Sequence, residues 1–294
     1  MRYDAFGNIC QRVTTAGTLF MHYAGSSLCN GAAAQPAAGT AAGFASPHAL
    51  TRAAGAAGRG SYTHYAFDAH GNQTAAVRTV DNTPSPPVNN AVLPPCRSVQ
   101  YTVEQQAWRM EQGSLVSRFF YGPDGSRYKR IDQGNAATKR TYYLGSVEVV
   151  LTNSNASPSL RRYIAGVVVQ DIDANGGRST SRLLHDHLGS VSAVISDANS
   201  TVLERYDYGA FGERRGALCN ALDGSRTPVR TNRGFTGHEM LDDFGLVHMS
   251  GRIYGSRTAR LRQAPAGGSL RLAAIRAGCR CGPASRGGGR SSER

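Results

Sequence analysis

Between Ser190 and Ser196 apolar and polar side chains nearly alternate. Val191, Ala193 and Ile195 stand against Ser190, Ser192, Val194 and Ser196. Successive side chains of a strand point to opposite faces, so this reads as a strand with one mostly apolar and one mostly polar side. Asp197-Ala198-Asn199-Ser200 supplies a turn, and Thr201 to Tyr208 runs back carrying Val202, Leu203, Tyr206 and Tyr208. Strand formers also cluster at Tyr142-Tyr143-Leu144, Val147 to Thr152, Tyr163-Ile164 and Val167 to Val169, the last ended by Asn175-Gly176-Gly177. A two-stranded hairpin is marginal alone, so several must stack.

Turn signals recur at Gly7-Asn8, Gly71-Asn72, Asp124-Gly125, Gly134-Asn135 and Asp223-Gly224. Each supplies the positive φ that short hairpins need. Tyr3-Asp4-Ala5-Phe6-Gly7-Asn8 and Phe67-Asp68-Ala69-His70-Gly71-Asn72 share an aromatic-Asp pair followed by x-x-Gly-Asn. Tyr121 to Ser126 is a looser copy, and Tyr206-Asp207-Tyr208-Gly209 opens a variant ending at Phe211-Gly212-Glu213. The unit reads as an aromatic that packs, an Asp that accepts from the turn amides, and a Gly that makes the corner. Repeated, it predicts an all-β, curled antiparallel hairpin sheet in which each unit covers its neighbour.

Composition divides the chain. Residues 1–23 and 61–80 carry the repeat. Residues 24–60 hold 14 Ala and 7 Gly with no hydrophobic period, which reads as a low-complexity, disordered insert. Residues 81–97 carry five prolines and read as a linker. Residues 98–254 are the expected compact core. Residues 255–294 hold nine Arg and one acid, Glu293, and read as a disordered tail. That tail carries +8 of the net charge of +13, so an argument from basicity toward nucleic acid applies to the tail and not to the body. The longest apolar stretch, Ile164 to Val169, is far short of the roughly 20 residues of a membrane helix, so no membrane span is expected. Met1-Arg2-Tyr3-Asp4 opens no apolar signal-peptide region. None of the six cysteines stands in C-x₂-C spacing, and unpaired thiols are expected.

These motifs resemble the YD repeats of RHS (rearrangement hotspot) proteins, and the later segment matches the RHS repeat-associated core. Leu184-His185-Asp186-His187-Leu188-Gly189-Ser190 is similar to the family's H-x-D-H-L-G-S signature, with the first His displaced. Tyr206-Asp207-Tyr208-Gly209-Ala210-Phe211-Gly212-Glu213 follows at the family's spacing. Gly234-Phe235-Thr236-Gly237-His238-Glu239 and Phe244-Gly245-Leu246 resemble its F-T-G…G-L stretch, and Arg252-Ile253-Tyr254 its R-x-Y. The resemblance is strong over 119–254 and weak on the flanks. It implies a fragment of a β shell that, in complete members, encloses a C-terminal effector, often a toxin. It also implies secretion or a cell-surface location.

In the family the core's end is an aspartyl autoprotease with a segment resembling D-P-x-x-G-R-F…D-P. Here Gly255 and Ser256 replace Asp-Pro, Ala259 replaces Gly, and no Asp follows Asp243. An aspartyl reaction needs two carboxylates sharing a proton. The expectation is therefore a core truncated or frameshifted near residue 254, without catalytic function and without a toxin domain. A vestigial autoprotease is the enzymatic alternative.

Other chemistry is thinner. His185 and His187 point to one face of a strand as a metal pair would, but no third ligand is spaced nearby, and turn residues are the expectation. His238-Glu239 lacks the second His of H-E-x-x-H, since Asp242 stands there. Asp242-Asp243 reads as a solvated turn. No phosphate loop or nucleophile elbow is present, and no cofactor is expected. The expected partner is the remainder of an RHS shell or its effector. A cell-envelope glycan held by Tyr-rich strand faces is an alternative partner. Nucleic acid is expected only as a non-specific partner of the Arg tail.

Overall fold

The computed structural model describes residues 1–4, 7–14, 17–23, 49–55, 61–80, 91–134, 137–153, 157–215 and 230–262. Seventeen strands form one antiparallel meander. They are β1 (Arg2–Tyr3), β2 (Ile9–Thr14), β3 (Gly17–Tyr23), β4 (Leu50–Gly55), β5 (Ser61–Phe67), β6 (Gln73–Val80), β7 (Ala91–Tyr101), β8 (Ala107–Gln112) and β9 (Leu115–Tyr121). The meander continues with β10 (Arg127–Gln133), β11 (Thr138–Leu144), β12 (Val147–Thr152), β13 (Ser159–Ile164), β14 (Val168–Ile172), β15 (Arg178–His185), β16 (Val191–Ser196) and β17 (Val202–Arg205). Each strand pairs with the next in sequence. The predicted all-β, curled antiparallel sheet is what the chain forms.

The corner is one five-residue turn used repeatedly. The first residue donates its N–H to the fifth carbonyl, and the fourth N–H returns to the first carbonyl. At 68–72 these bonds are 2.9 and 3.1 Å, and the same pair closes 4–8, 173–177 and 186–190. The Asp carboxylate then accepts the fifth N–H: Asp4 from Asn8 at 2.8 Å, Asp68 from Asn72 at 2.9 Å, Asp173 from Gly177 at 2.9 Å and Asp186 from Ser190 at 2.8 Å. The fourth position demands positive φ, and glycine supplies it at Gly71 (81°) and Gly189 (78°). Two copies carry less recognisable sequence. At 173–177 the turn follows Ile172 and not an aromatic. At 102–106 Thr102 Oγ1 replaces the carboxylate, and Gln105 holds φ 65°. Turns 4–8, 68–72, 102–106, 122–126 and 186–190 all join an odd strand to the next even one, so they share one rim.

Seventeen strands at about 4.8 Å each give roughly 80 Å of contour, enough for one turn of a wall about 25 Å across. The curl wraps a second, smaller sheet: β20 (Glu239–Leu241), β21 (Leu246–Met249), β22 (Arg252–Gly255) and β23 (Arg260–Leu261), each paired with the next. A short hairpin, β18 (Asp207–Tyr208) with β19 (Arg214–Arg215), lies between the two sheets in sequence. The largest core joins the sheets: Val99, Ala107, Met110 and Phe119 of the wall pack with Leu241, Phe244, Leu246 and Ile253 of the inner sheet. Two further clusters lie around Met21 and Leu50, and around Val169 and Val194.

Several expectations change. Strand β4 lies inside the stretch read as the 24–60 insert; 24–48 and 56–60 lie outside the described residues. Strand β7 runs through Pro94 and Pro95, inside the stretch read as a linker, and the sheet crosses residue 97 without interruption. The ladder explains this: β6–β7 pairing skips from Arg78↔Leu93 to Ala76↔Arg97, and β8 pairing begins only at Arg97↔Gln112, so the prolines stand where no N–H is required. Packing continues past Tyr254 to Arg262, which is 7% exposed, so the first eight residues of the presumed tail belong to the fold; 263–294 lie outside the described residues. Val194, placed on the polar side by alternation, is fully buried, because β16 is covered on both faces. Cys10 is disulfide-bonded and not a free thiol.

Candidate functional site on the inner face of the curl

Six alternate strands each send one tyrosine inward near the same rim: Tyr23, Tyr65, Tyr101, Tyr121, Tyr143 and Tyr163. Five of them engage residues of the 231–262 segment directly. Arg260 lies over Tyr23 at 4.4 Å and Arg262 over Tyr65 at 5.4 Å. Tyr121 Oη is 3.2 Å from His248 Nε2, Tyr143 Oη donates to Glu239 at 3.1 Å, and Tyr163 Oη meets Thr231 Oγ1 at 3.1 Å. Tyr101 packs on the shared core. A second use of the hydroxyl repeats along the wall: Tyr23 donates to Ile9 O (2.9 Å), Tyr101 to Gln73 O (2.9 Å), Tyr121 to Ala107 O (2.7 Å) and Tyr208 to Val191 O (3.0 Å). Each acceptor opens an even strand, so the aromatic ties adjacent hairpins together as well as packing. Burial pushes the phenols of Tyr121 and Tyr163 up to about 12.

Glu239 is the electrostatic centre. It is 2% exposed and accepts from Arg130 Nη1 at 3.0 Å, Asn232 Nδ2 at 2.7 Å, Tyr143 Oη and Arg127 Nη2. Arg130 Nε also donates to Asp132 at 2.7 Å. The Arg127 guanidinium stacks 4.3 Å from the Tyr143 ring, while its Nε and Nη1 are buried without a hydrogen-bond partner. A carboxylate with four donors is positioned to hold the inner sheet against β10 and β11.

The inner segment reaches almost every side of the wall. Arg97 Nη1 donates to Phe244 O at 2.9 Å, and Gln73 N–H to Arg262 O at 2.7 Å. Arg233 Nη2 lies 3.5 Å from Glu148 Oε1. Arg12 on β2 donates to Ser256 O and Arg257 O, both at 3.1 Å, pairs with Glu213 and lies 4.6 Å over the Phe211 ring. At the other end of the meander Val191 N–H donates to Gly234 O at 3.2 Å. The two ends of the sheet thus meet through the 206–215 hairpin and the inner segment, without a shared ladder.

Most motif residues read from the sequence gather at this seam. Ser190 is fully buried and its Oγ accepts the Thr236 N–H at 3.1 Å. Phe235 stacks on Tyr254 at 6.3 Å and meets Tyr208 at 6.1 Å. Gly212 (φ 81°) has no room for a side chain, because a Cβ would enter the Phe235 ring. Gly234, Thr236 and Gly237 form another copy of the five-residue turn. Tyr206 packs with Val169, Leu183 and Val191, and Asp207 pairs in register with Arg215. Asp186 shapes its turn: slight burial raises its pKa, but the Ser190 and Leu188 amides pull it below the ordinary value. His185, His187, Leu188 and Gly189 are exposed on the rim. Gly245 and Leu246 lie apart from the seam, Leu246 in the shared core. Asp242 and Asp243 are exposed in the short turn Asp242–Phe244, as a solvated turn requires; Asp242 also pairs with Arg214 at 3.2 Å, and partial desolvation raises its pKa. Sequence reasoning missed Arg127, Arg130 and Asn232. The usable signal was alternation: Arg130 occupies an inward position of β10 where an apolar residue is expected.

No family model matches the chain, and no curated protein matches it. Solved structures do. TcdB2-TccC3 without its hypervariable C-terminal region aligns over 91% of this chain at 14% identity and TM-score 0.48. TcdB2-TccC3-Cdc42 aligns over 90% at 13% and 0.46. A Photorhabdus luminescens Tc holotoxin pore aligns over 90% at 15% and 0.46. The chain spans 15–16% of the length of these three matched chains.

Proposed function

We propose that this chain is a non-catalytic section of an RHS-type shell wall, from a toxin-encapsulating system, whose lumen at this level is stoppered by residues 231–262. The observation that carries the reading is the inner face itself: wall strands from β2 to β16 spend their inward polar groups on holding one short segment of the same chain. The repeat motifs support membership of the wall. Among the described residues β1 pairs only with β2 and β17 only with β16, and their outer edges are where further strands of a longer wall would pair.

The absence of self-cleavage is part of the proposal. At position 255, where the resemblance calls for Asp, the Arg262 guanidinium fills the space that a Cβ would take. A carboxylate there would have to displace it. The glycan reading finds little to favour it, since six of the tyrosines it relied on face inward.

Two measurements test this reading. Intact mass should equal the full 31.2 kDa chain; a shorter product contradicts the non-catalytic part. Mixed with an RHS repeat chain that lacks its own last repeats, the protein should co-migrate on size exclusion, and Leu203→Pro on β17 should abolish this. Separate migration of the wild-type chain overturns the wall reading.

A further inference from the structure

His248 lies on β21 where the inner sheet meets the wall, and it is 4% exposed. From β9, the Phe119 ring stands 5.3 Å away and the Tyr121 ring 6.4 Å. Across the small sheet its register partners are Glu239 on β20 and Ile253 on β22. From β10, the guanidinium groups of Arg127 and Arg130 lie 5.6 and 5.8 Å from the same Phe119 ring. Glu239 already serves both arginines, Tyr143 of β11 and Asn232, while Asp132 serves Arg130. His238, just before β20, adds no negative charge. The His248 Nε2 lies 3.2 Å from the Tyr121 hydroxyl.

We propose that His248 is an acid-sensitive latch: as neutral imidazole it packs the inner sheet onto β9 and β10, and as imidazolium it drives that sheet off the wall. A proton on the ring would add a third buried cation beside Arg127 and Arg130, which already share the Glu239 carboxylate. Burial, then Arg127 and Arg130, hold its pKa well below the ordinary 6.5. The closed state therefore refuses a proton that the open state binds. Closure is at full strength above pH 6.5 and weakens as the pH falls toward the depressed value. From this one group the opening constant rises by at most about 30-fold between pH 7.5 and pH 5. The latch needs only the contact between the inner sheet and the wall, so failure of the chain to join a partner wall leaves it standing.

Hydrogen exchange of the full chain tests it. After correction for intrinsic rates, the amides of Leu246–Met249 should lose protection from pH 7.5 to 5, by up to about 30-fold. His248→Phe keeps the aromatic packing and should remove most of that loss. His248→Gln, which does not titrate, should do the same and serves if the Phe variant fails to fold. His22, His64 and His238 also have lowered pKa values, so the readout is the difference between wild type and variant. A wild-type chain with no loss, or variants that keep all of it, overturns the proposal.

Discussion

The wall and the inner sheet are both antiparallel β, yet they are held by opposite means. The wall is local. Each strand pairs with its sequence neighbour, one five-residue turn recurs at the corners, and the Tyr23, Tyr101 and Tyr121 hydroxyls close onto adjacent hairpins. The inner sheet is held by distant partners: Glu239 by Arg127 and Arg130, Ser256 by Arg12, Thr236 by Ser190. Local repetition spreads stability over many similar units, so single losses are small. A buried carboxylate shared by two arginines concentrates it, so one change leaves charges unpaired.

The contrast breaks most visibly at Glu239. Glu239→Ala strands Arg127 and Arg130 and should cost about 3–5 kcal/mol in urea unfolding; a loss under about 1 kcal/mol would mean the ion cluster does not hold the inner sheet. Gly212→Ala should come next, at about 2–4 kcal/mol, from positive φ plus collision with Phe235. Tyr101→Phe removes one wall hydrogen bond and should cost about 1 kcal/mol, with Tyr121→Phe similar; much larger losses would show that the wall is not built from independent units. Ala259, held at φ 56° after the Ser256–Thr258 turn, gives the smallest effect. Ala259→Gly should stabilise by about 0.5 kcal/mol, the left-handed relief offset by glycine's chain entropy.

The wall was legible because its physics is local. Tyr3-Asp4 and Phe67-Asp68, each followed by Gly-Asn, state the turn in six residues, and the hairpin around Asp197–Ser200 follows from alternation. The same rule misled at Val194, since alternation assumes one solvated face. It also missed the 102–106 turn, where Thr102 and Gln105 do the work of Asp and Gly. Proline content suggested a linker at 81–97, because composition does not show that Pro94 and Pro95 fall at a bulge. The inner site was legible only in part. Gly234 to Glu239 and Gly245-Leu246 stood out as motifs, but nothing in the spacing says that Glu239 meets Arg130, 109 positions earlier. Nor does composition show that Gly255 is open because Arg262 lies against it.

The central claim is that residues 231–262 are bound into the wall's inner face. A double-mutant cycle between Arg130 and Glu239, built from Arg130→Met, Glu239→Leu and the pair, measures that bond directly in the intact chain. The account predicts a coupling of about 1–3 kcal/mol, with the double variant more stable than either single variant implies. Additive effects, within about 0.5 kcal/mol, would contradict it.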